Sequence, residues 1–161
     1  MKIRTFTPGD ERGICEIYNY YINETIITFE DESLSEQQML DRIENYMTSY
    51  PWFVCELDGK IVGYSYASKF HHRAAYKNTV ETTVYIRNGF ERRGIGKALY
   101  DPLIAYLSKH GCHAVLAVIA LPNARSVGLH EAYHIIKVGQ LSEVGRKFNQ
   151  WVDVGYWQRL L

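Results

Sequence analysis

Two short stretches of this 161-residue chain hold residue types at spacings that chemistry could use. The first is Glu91-Arg92-Arg93-Gly94-Ile95-Gly96-Lys97, a basic, glycine-bearing turn that opens an apolar run of helical period. Glycine lets backbone approach a ligand closely, and the first N–H groups of a helix point outward, unpaired, at the positive end of its dipole. Arg92, Arg93 and Lys97 add full charges, so the segment reads as a cradle for a phosphate-bearing ligand. Leu99 stands where a dinucleotide-binding turn needs its third glycine. Ala98 follows Gly96-Lys97 where an NTP-binding loop needs Ser or Thr. Taken alone, a basic helix start with loop glycines accounts for the segment equally well. The second stretch is His130-Glu131-Ala132-Tyr133-His134, which on a helix would set two zinc ligands on one face with a glutamate base beside them.

The elements that position these residues follow from periodicity. Residues 2–6 alternate as a strand, Thr7-Pro8-Gly9-Asp10 turns into a helix capped by Asp10, and Ile14, Ile17, Tyr18 and Tyr21 recur at helical spacing. Ser35 and Gln38 form a capping box before the stripe Met39, Leu40, Ile43 and Met47, and Pro51 ends that helix. Trp52–Leu57 and Lys60–Ser68 read as a hairpin turning at Asp58-Gly59. Strands over 79–87 and 114–120, helices over 94–110 and 123–133, and strands over 135–144 and 150–158 complete the pattern. The class is mixed α/β in three layers: a largely antiparallel sheet, parallel around the helix at 94–110, with helices on both faces.

Composition narrows the function. Lys+Arg and Asp+Glu are 18 each, so no basic excess argues for nucleic acid. At 47% hydrophobic and 22% charged residues the chain is globular, and no apolar run is long enough for a bilayer. A single domain over 1–161 is expected, with three widely spaced cysteines that read as reduced thiols of a cytoplasmic protein. The 13 tyrosines suit a cleft or an interface.

Gly-x-Gly at a helix start after Thr82-Thr83-Val84-Tyr85-Ile86 resembles the acetyl-coenzyme A motif of the GNAT N-acetyltransferases. Further blocks resemble the phosphinothricin and methionine sulfoximine N-acetyltransferase branch. They are Thr79-Val80-Glu81-Thr82-Thr83-Val84-Tyr85, Leu121-Pro122-Asn123, Leu129-His130-Glu131-Ala132, Gly145-Arg146-Lys147 and Trp151-Val152-Asp153-Val154-Gly155-Tyr156-Trp157-Gln158. The resemblance implies the GNAT fold, in which two parallel strands, here 80–86 and 114–120, splay apart to admit the cofactor. It implies that the backbone of Val84, Tyr85 and Ile86 holds the pantetheine arm. The segment from Arg92 through Arg93, Gly94, Ile95 and Gly96 to Lys97 would hold the diphosphate, and Asn123 and Ser126 the cofactor further along. It assigns Glu81 as general base for the attacking amine and places His130 as acid for the leaving thiolate, with Tyr133 as fallback. Arg73, in a loop matching the branch, would grip the acceptor's carboxylate or phosphinate, and Phe29 and Tyr76 would wall the pocket. The acceptor would be a small amino acid such as phosphinothricin or methionine sulfoximine, the co-substrate acetyl-coenzyme A without a metal, and the assembly a homodimer.

One position departs from the superfamily pattern. Glu91 stands where Arg or Gln is usual, and repulsion from a diphosphate predicts that it turns to solvent. The two rivals are a zinc metallohydrolase using His130, Glu131 and His134, and a non-catalytic module that binds acetyl-coenzyme A. His134 falls where relatives carry the glycine that closes the helix, which makes a left-handed cap its expected part.

Overall fold

Asp58 and Gly59 both take positive φ, 51° and 75°, which is the geometry that turns β2 (Trp52–Leu57) tightly into β3 (Lys60–Lys69). This hairpin forms the second and third strands of a seven-stranded sheet in the computed structural model, which describes residues 1–161. The remaining strands are β1 (Lys2–Thr5), β4 (Thr79–Ile86), β5 (Ala114–Leu121), β6 (Ile136–Lys147) and β7 (Gln150–Leu160), in the order β1-β2-β3-β4-β5-β7-β6. All neighbours run antiparallel except β4 and β5. The helices are α1 (Glu11–Glu24), α2 (Glu36–Met47), α3 (Ile95–Lys109) and α4 (Ala124–Ala132). Helices α1 and α2 close one face over Ile14, Ile17, Ile43, Trp52 and Tyr64. Helix α3 closes the other over Val80, Leu103, Val115 and Trp157.

Local chemistry explains most boundaries. The Ser35 hydroxyl accepts from the Gln38 N–H while the Gln38 side chain accepts from the Ser35 N–H, the reciprocal cap expected of this pair. Asp10 stands at the start of α1 but does not cap it. Its carboxylate turns back to Arg4 at 2.6 and 2.8 Å, where the two hydrogen bonds are stronger than a cap to one N–H. Strand β6 runs three residues past its expected end, to Lys147, because its partner β7 continues the ladder there through Gly145↔Val152 and Lys147↔Gln150. Gly63 brings α3 close to the sheet, since a Cβ there would sit 3.1 Å from both Ile95 and Leu99 side chains.

Candidate active site

Parallel pairing between β4 and β5 covers three residues only, Thr79↔Ala114, Val80↔Val115 and Glu81↔Leu116, and then stops. Beyond Glu81 the strands part, because β4 stays registered with β3 up to Ile86 while β5 follows β7. The opening is a cavity of about 520 Å³, lined by β4 from Thr82 to Ile86, β5 from Ala117 to Ala120, the α3 turn, the start of α4, and Tyr20 and Tyr21 of α1.

The Arg87 N–H donates to the Val62 carbonyl in β3 at 2.8 Å. Ladder alternation therefore commits the peptide groups of Tyr85 to β3 and turns those of Val84 and Ile86 toward the cavity. Of the three residues expected to meet a ligand through backbone, Tyr85 is the exception. Tyr21 reaches across to donate its hydroxyl to the Ile86 carbonyl at 2.7 Å, and burial pushes its phenol up to about 12. The groups left unpaired at the opening are the N–H and C=O of Val84 and the N–H of Ile86.

At one end of the cavity Gly94 caps α3 in the left-handed region, φ 76°, a position that glycine fills without strain. The first backbone bond of α3 is from the Ala98 N–H to the Gly94 carbonyl, so the N–H groups of Ile95, Gly96 and Lys97 have no acceptor. Arg92, Gly94, Ile95, Gly96, Lys97, Asn123 and Ser126 all line the cavity. Arg93 does not: its guanidinium lies over the Phe90 ring, 4.8 Å from the centroid. The expectation for Glu91 is corrected as well. It lines the cavity instead of facing solvent, because Arg125 at 3.1 Å neutralises it and the Gly89 N–H donates to it at 2.9 Å.

His130 lies at the inner wall, 3% exposed. Its Nδ1 is 2.7 Å from the Ser126 carbonyl, which only accepts, so Nδ1 carries the proton. Nε2 lies 2.7 Å from the Tyr100 phenol oxygen, whose O–H donates to Thr82 Oγ1 at 2.7 Å, and Thr82 donates in turn to the Leu116 carbonyl. Both ring nitrogens are thus held against protein groups. Tyr133, the fallback donor, points away and binds Asp101 and the Lys97 carbonyl. Burial lowers the His130 pKa from 6.5. A lowered pKa contributes stability that is present above pH 6.5 and lost as pH falls below it. Replacing His130 by Gln is therefore expected to flatten the fall in thermal stability as pH drops below 6.5, read by melting curves at stepped pH.

Helix α4 ends at Ala132, and His134 takes φ 57° beyond it, the left-handed cap expected. His130 faces inward while His134 is outside the helix, so the two do not share a face as a zinc pair would.

Glu81 is the last β4 residue paired with β5, half-buried beside the cavity's apex. Burial raises its carboxyl above the usual 4.5, partly offset by nearby His71. His71 belongs to the β3–β4 loop, where it packs with Phe70 and Tyr76. Arg73 and Tyr76 lie exposed in this loop, outside the cavity. Phe29 is also outside it, its ring against Gly145, where a Cβ would meet ring atoms. Beside it Lys147 Nζ donates to the Thr28 carbonyl at 2.6 Å, tying the α1–α2 loop to β6.

Over residues 3–155 the chain matches the acetyltransferase (GNAT) domain family. The chain belongs to the GNAT acetyltransferases. A phosphinothricin N-acetyltransferase of Streptomyces viridochromogenes is 40% identical over 159 residues, 99% of this chain and 87% of that protein. An L-methionine sulfoximine/L-methionine sulfone acetyltransferase of Salmonella typhimurium is 30% identical, covering 98% of this chain and 93% of that one. Among solved structures, a GNAT-superfamily phosphinothricin acetyltransferase of Sinorhizobium meliloti in complex with acetyl-coenzyme A superposes with a TM-score of 0.95 at 32% identity, covering 99% and 88% of the two chains. A Salmonella typhimurium protein solved with acetyl-coenzyme A superposes with a TM-score of 0.97 at 30% identity, covering 100% and 94%. This GNAT enzyme is an acetyl-coenzyme A-dependent N-acetyltransferase acting on a small molecule. The zinc reading and the non-catalytic reading are set aside. No helix is long and apolar enough to cross a membrane.

Proposed function

We propose that the enzyme acetylates the α-amino group of a small amino acid of the phosphinothricin or methionine sulfoximine kind, with Glu81 as general base. The observation that carries this reading is the position of Glu81 at the point where β4 and β5 separate, its carboxyl raised by burial above the usual 4.5 toward a better proton acceptor. The pantetheine arm pairs with the open peptide groups of Val84 and Ile86, and the diphosphate takes the free N–H groups at the start of α3 beside Arg92 and Lys97. The incoming ammonium gives a proton to Glu81, directly or through a water. The nitrogen then attacks the thioester carbon, and a cavity-facing N–H of β4 stabilises the oxyanion. As the C–S bond breaks the nitrogen gives its second proton to solvent, leaving a neutral amide, and the departing thiolate of coenzyme A takes one up from solvent because thiols ionise near pH 8.5. Tyr100 and His130 act as positioning residues that fix Thr82 and the start of α4 around the reacting centre. Arg73, Tyr76 and Phe29 serve the acceptor from the Glu81 side of the sheet.

Thiol release from acetyl-coenzyme A, measured against a panel of amino acids, tests the acceptor. Turnover with phosphinothricin or methionine sulfoximine well above that with the twenty standard amino acids is expected. Equal or greater turnover with aminoglycosides or polyamines would overturn the amino-acid reading.

We also propose a homodimer through the β6–β7 edge. Strand β6 is the edge of the sheet and carries Ile136, Val138 and Val144 at 64, 53 and 55% exposure, with Trp151 at 60% next to it in β7. An exposed apolar edge of this length marks an association surface. Val138→Asp is expected to convert a dimer to a monomer in sedimentation velocity. A wild-type monomer at micromolar concentration would contradict the assembly.

A further inference from the structure

The charged residues lining the cavity are Glu91, Arg92, Lys97 and Arg125. Arg92 and Lys97 belong to the α3 wall. Arg125 stands in the first turn of α4, on the facing wall, and its Nη1 lies 3.1 Å from Glu91 Oε1 across the mouth. A carboxylate in a cleft that receives a polyanion is repulsive unless a cation accompanies it. Arg125 is the one cation paired with Glu91, and the second carboxylate oxygen is fixed by the Gly89 N–H. The Glu91 carboxylate is therefore anchored to the turn, while the Arg125 side chain remains 66% exposed with its other N–H groups unengaged. A guanidinium has five donors in a planar fork and can keep one on a carboxylate while presenting others to phosphate oxygens.

We propose that Arg125 is a cofactor-binding residue that grips the diphosphate of acetyl-coenzyme A from the α4 wall, with Glu91 holding its guanidinium over the mouth. The diphosphate is then held from both sides: by the α3 N–H groups, Arg92 and Lys97 on one, and by Arg125 on the other. This rests on the reading of the cavity as the acetyl-coenzyme A site and assigns the charge at its mouth. It also accounts for an acidic residue in a basic turn, because Glu91 recruits a cation from another helix instead of supplying one.

Calorimetric titration of coenzyme A and of 3′-dephospho-coenzyme A into wild type, Arg125→Ala, and the double variant Glu91→Gln/Arg125→Ala tests the proposal without turnover. Arg125→Ala is expected to weaken both ligands alike, about ten-fold, with a matching rise in KM for acetyl-coenzyme A and no rise in KM for the acceptor. The double variant is expected to recover only in part and to stay at least about three-fold weaker than wild type, because the uncompensated carboxylate is gone but so is the guanidinium's own contact; full recovery would reduce Arg125 to a neutraliser of Glu91 and overturn the grip. Arg125 is exposed and Glu91 lines an open cavity, and melting curves check that the fold is kept. Wild-type affinity in Arg125→Ala overturns the proposal. A loss for coenzyme A but not for its dephospho form moves the contact to the 3′-phosphate and overturns the diphosphate assignment. A loss undiminished in the double variant removes Glu91 from the arrangement. Failure of the wild type to bind either ligand would refute the cavity assignment itself, a result distinct from all of these.

Discussion

Glu81→Gln is expected to lower kcat on any accepted amino acid about a hundred- to a thousand-fold, while the Kd for coenzyme A stays within about two-fold. The amide keeps the size and place of the carboxylate and removes the proton acceptor. The pH profile gives a second reading. In wild type kcat/KM rises with pH as Glu81 loses its proton, on a limb displaced above 4.5 because burial disfavours the charged form. In the variant this limb is absent. Stability moves the other way. A folded-state pKa raised above the unfolded one contributes stability that is present below the unfolded pKa and lost as pH rises through the folded pKa. The Gln variant is therefore expected to melt no lower than wild type at pH 7, and the difference is expected to close near pH 4. Full activity in the variant, or a lower melting temperature at pH 7, would show that Glu81 is a structural residue.

Trp52→Ala is expected to cost about 3–5 kcal/mol, a large share of the roughly 5–15 kcal/mol typical of a domain. The indole is 1% exposed and stacks on Tyr66 at 4.1 Å and Tyr64 at 5.4 Å, with Tyr46 beyond. These rings link α2 to β3 and, through Tyr64, to Tyr85 of β4. Trp52→Phe is expected to be far cheaper than the lost area implies. The indole N–H has no hydrogen-bond partner, and a buried unpaired donor costs about 1–3 kcal/mol, which Phe does not incur. Urea unfolding of the two variants checks this; equal losses for Ala and Phe would mean that the indole N–H carries no such penalty.

Local chemistry made much of the fold legible from residues alone. The Asp58-Gly59 turn, the Ser35/Gln38 cap and the glycine turn at 94–96 each depend on a few adjacent residues, and each stands where its chemistry requires. Contacts between distant segments were not legible. Asp10 reads as a cap because nothing near it in sequence announces Arg4's reach from β1. Tyr100 reads as one more apolar position in the α3 stripe beside Leu99 and Leu103, and only folding sets its hydroxyl against His130 and Thr82. The Glu91–Arg125 pair joins residues on opposite walls of a cavity, a relation that no periodicity encodes. Tyr85 was grouped with Val84 and Ile86 because the alternation of peptide groups depends on which neighbour β4 keeps, and it keeps β3.

The open flank of β4 separates two kinds of inheritance within one strand. The side chains of Val80, Val84 and Ile86 pack toward α3, while the same residues' peptide groups belong to the ladder or to the opening. A change such as Val84→Ile alters the packing and leaves every donor and acceptor presented to the cavity where it was. Main-chain recognition is invisible to substitution. Under the proposed function, the core beneath the opening and the His71–Tyr76 loop can therefore change independently, one acceptor exchanged for another while the acetyl donor stays the same.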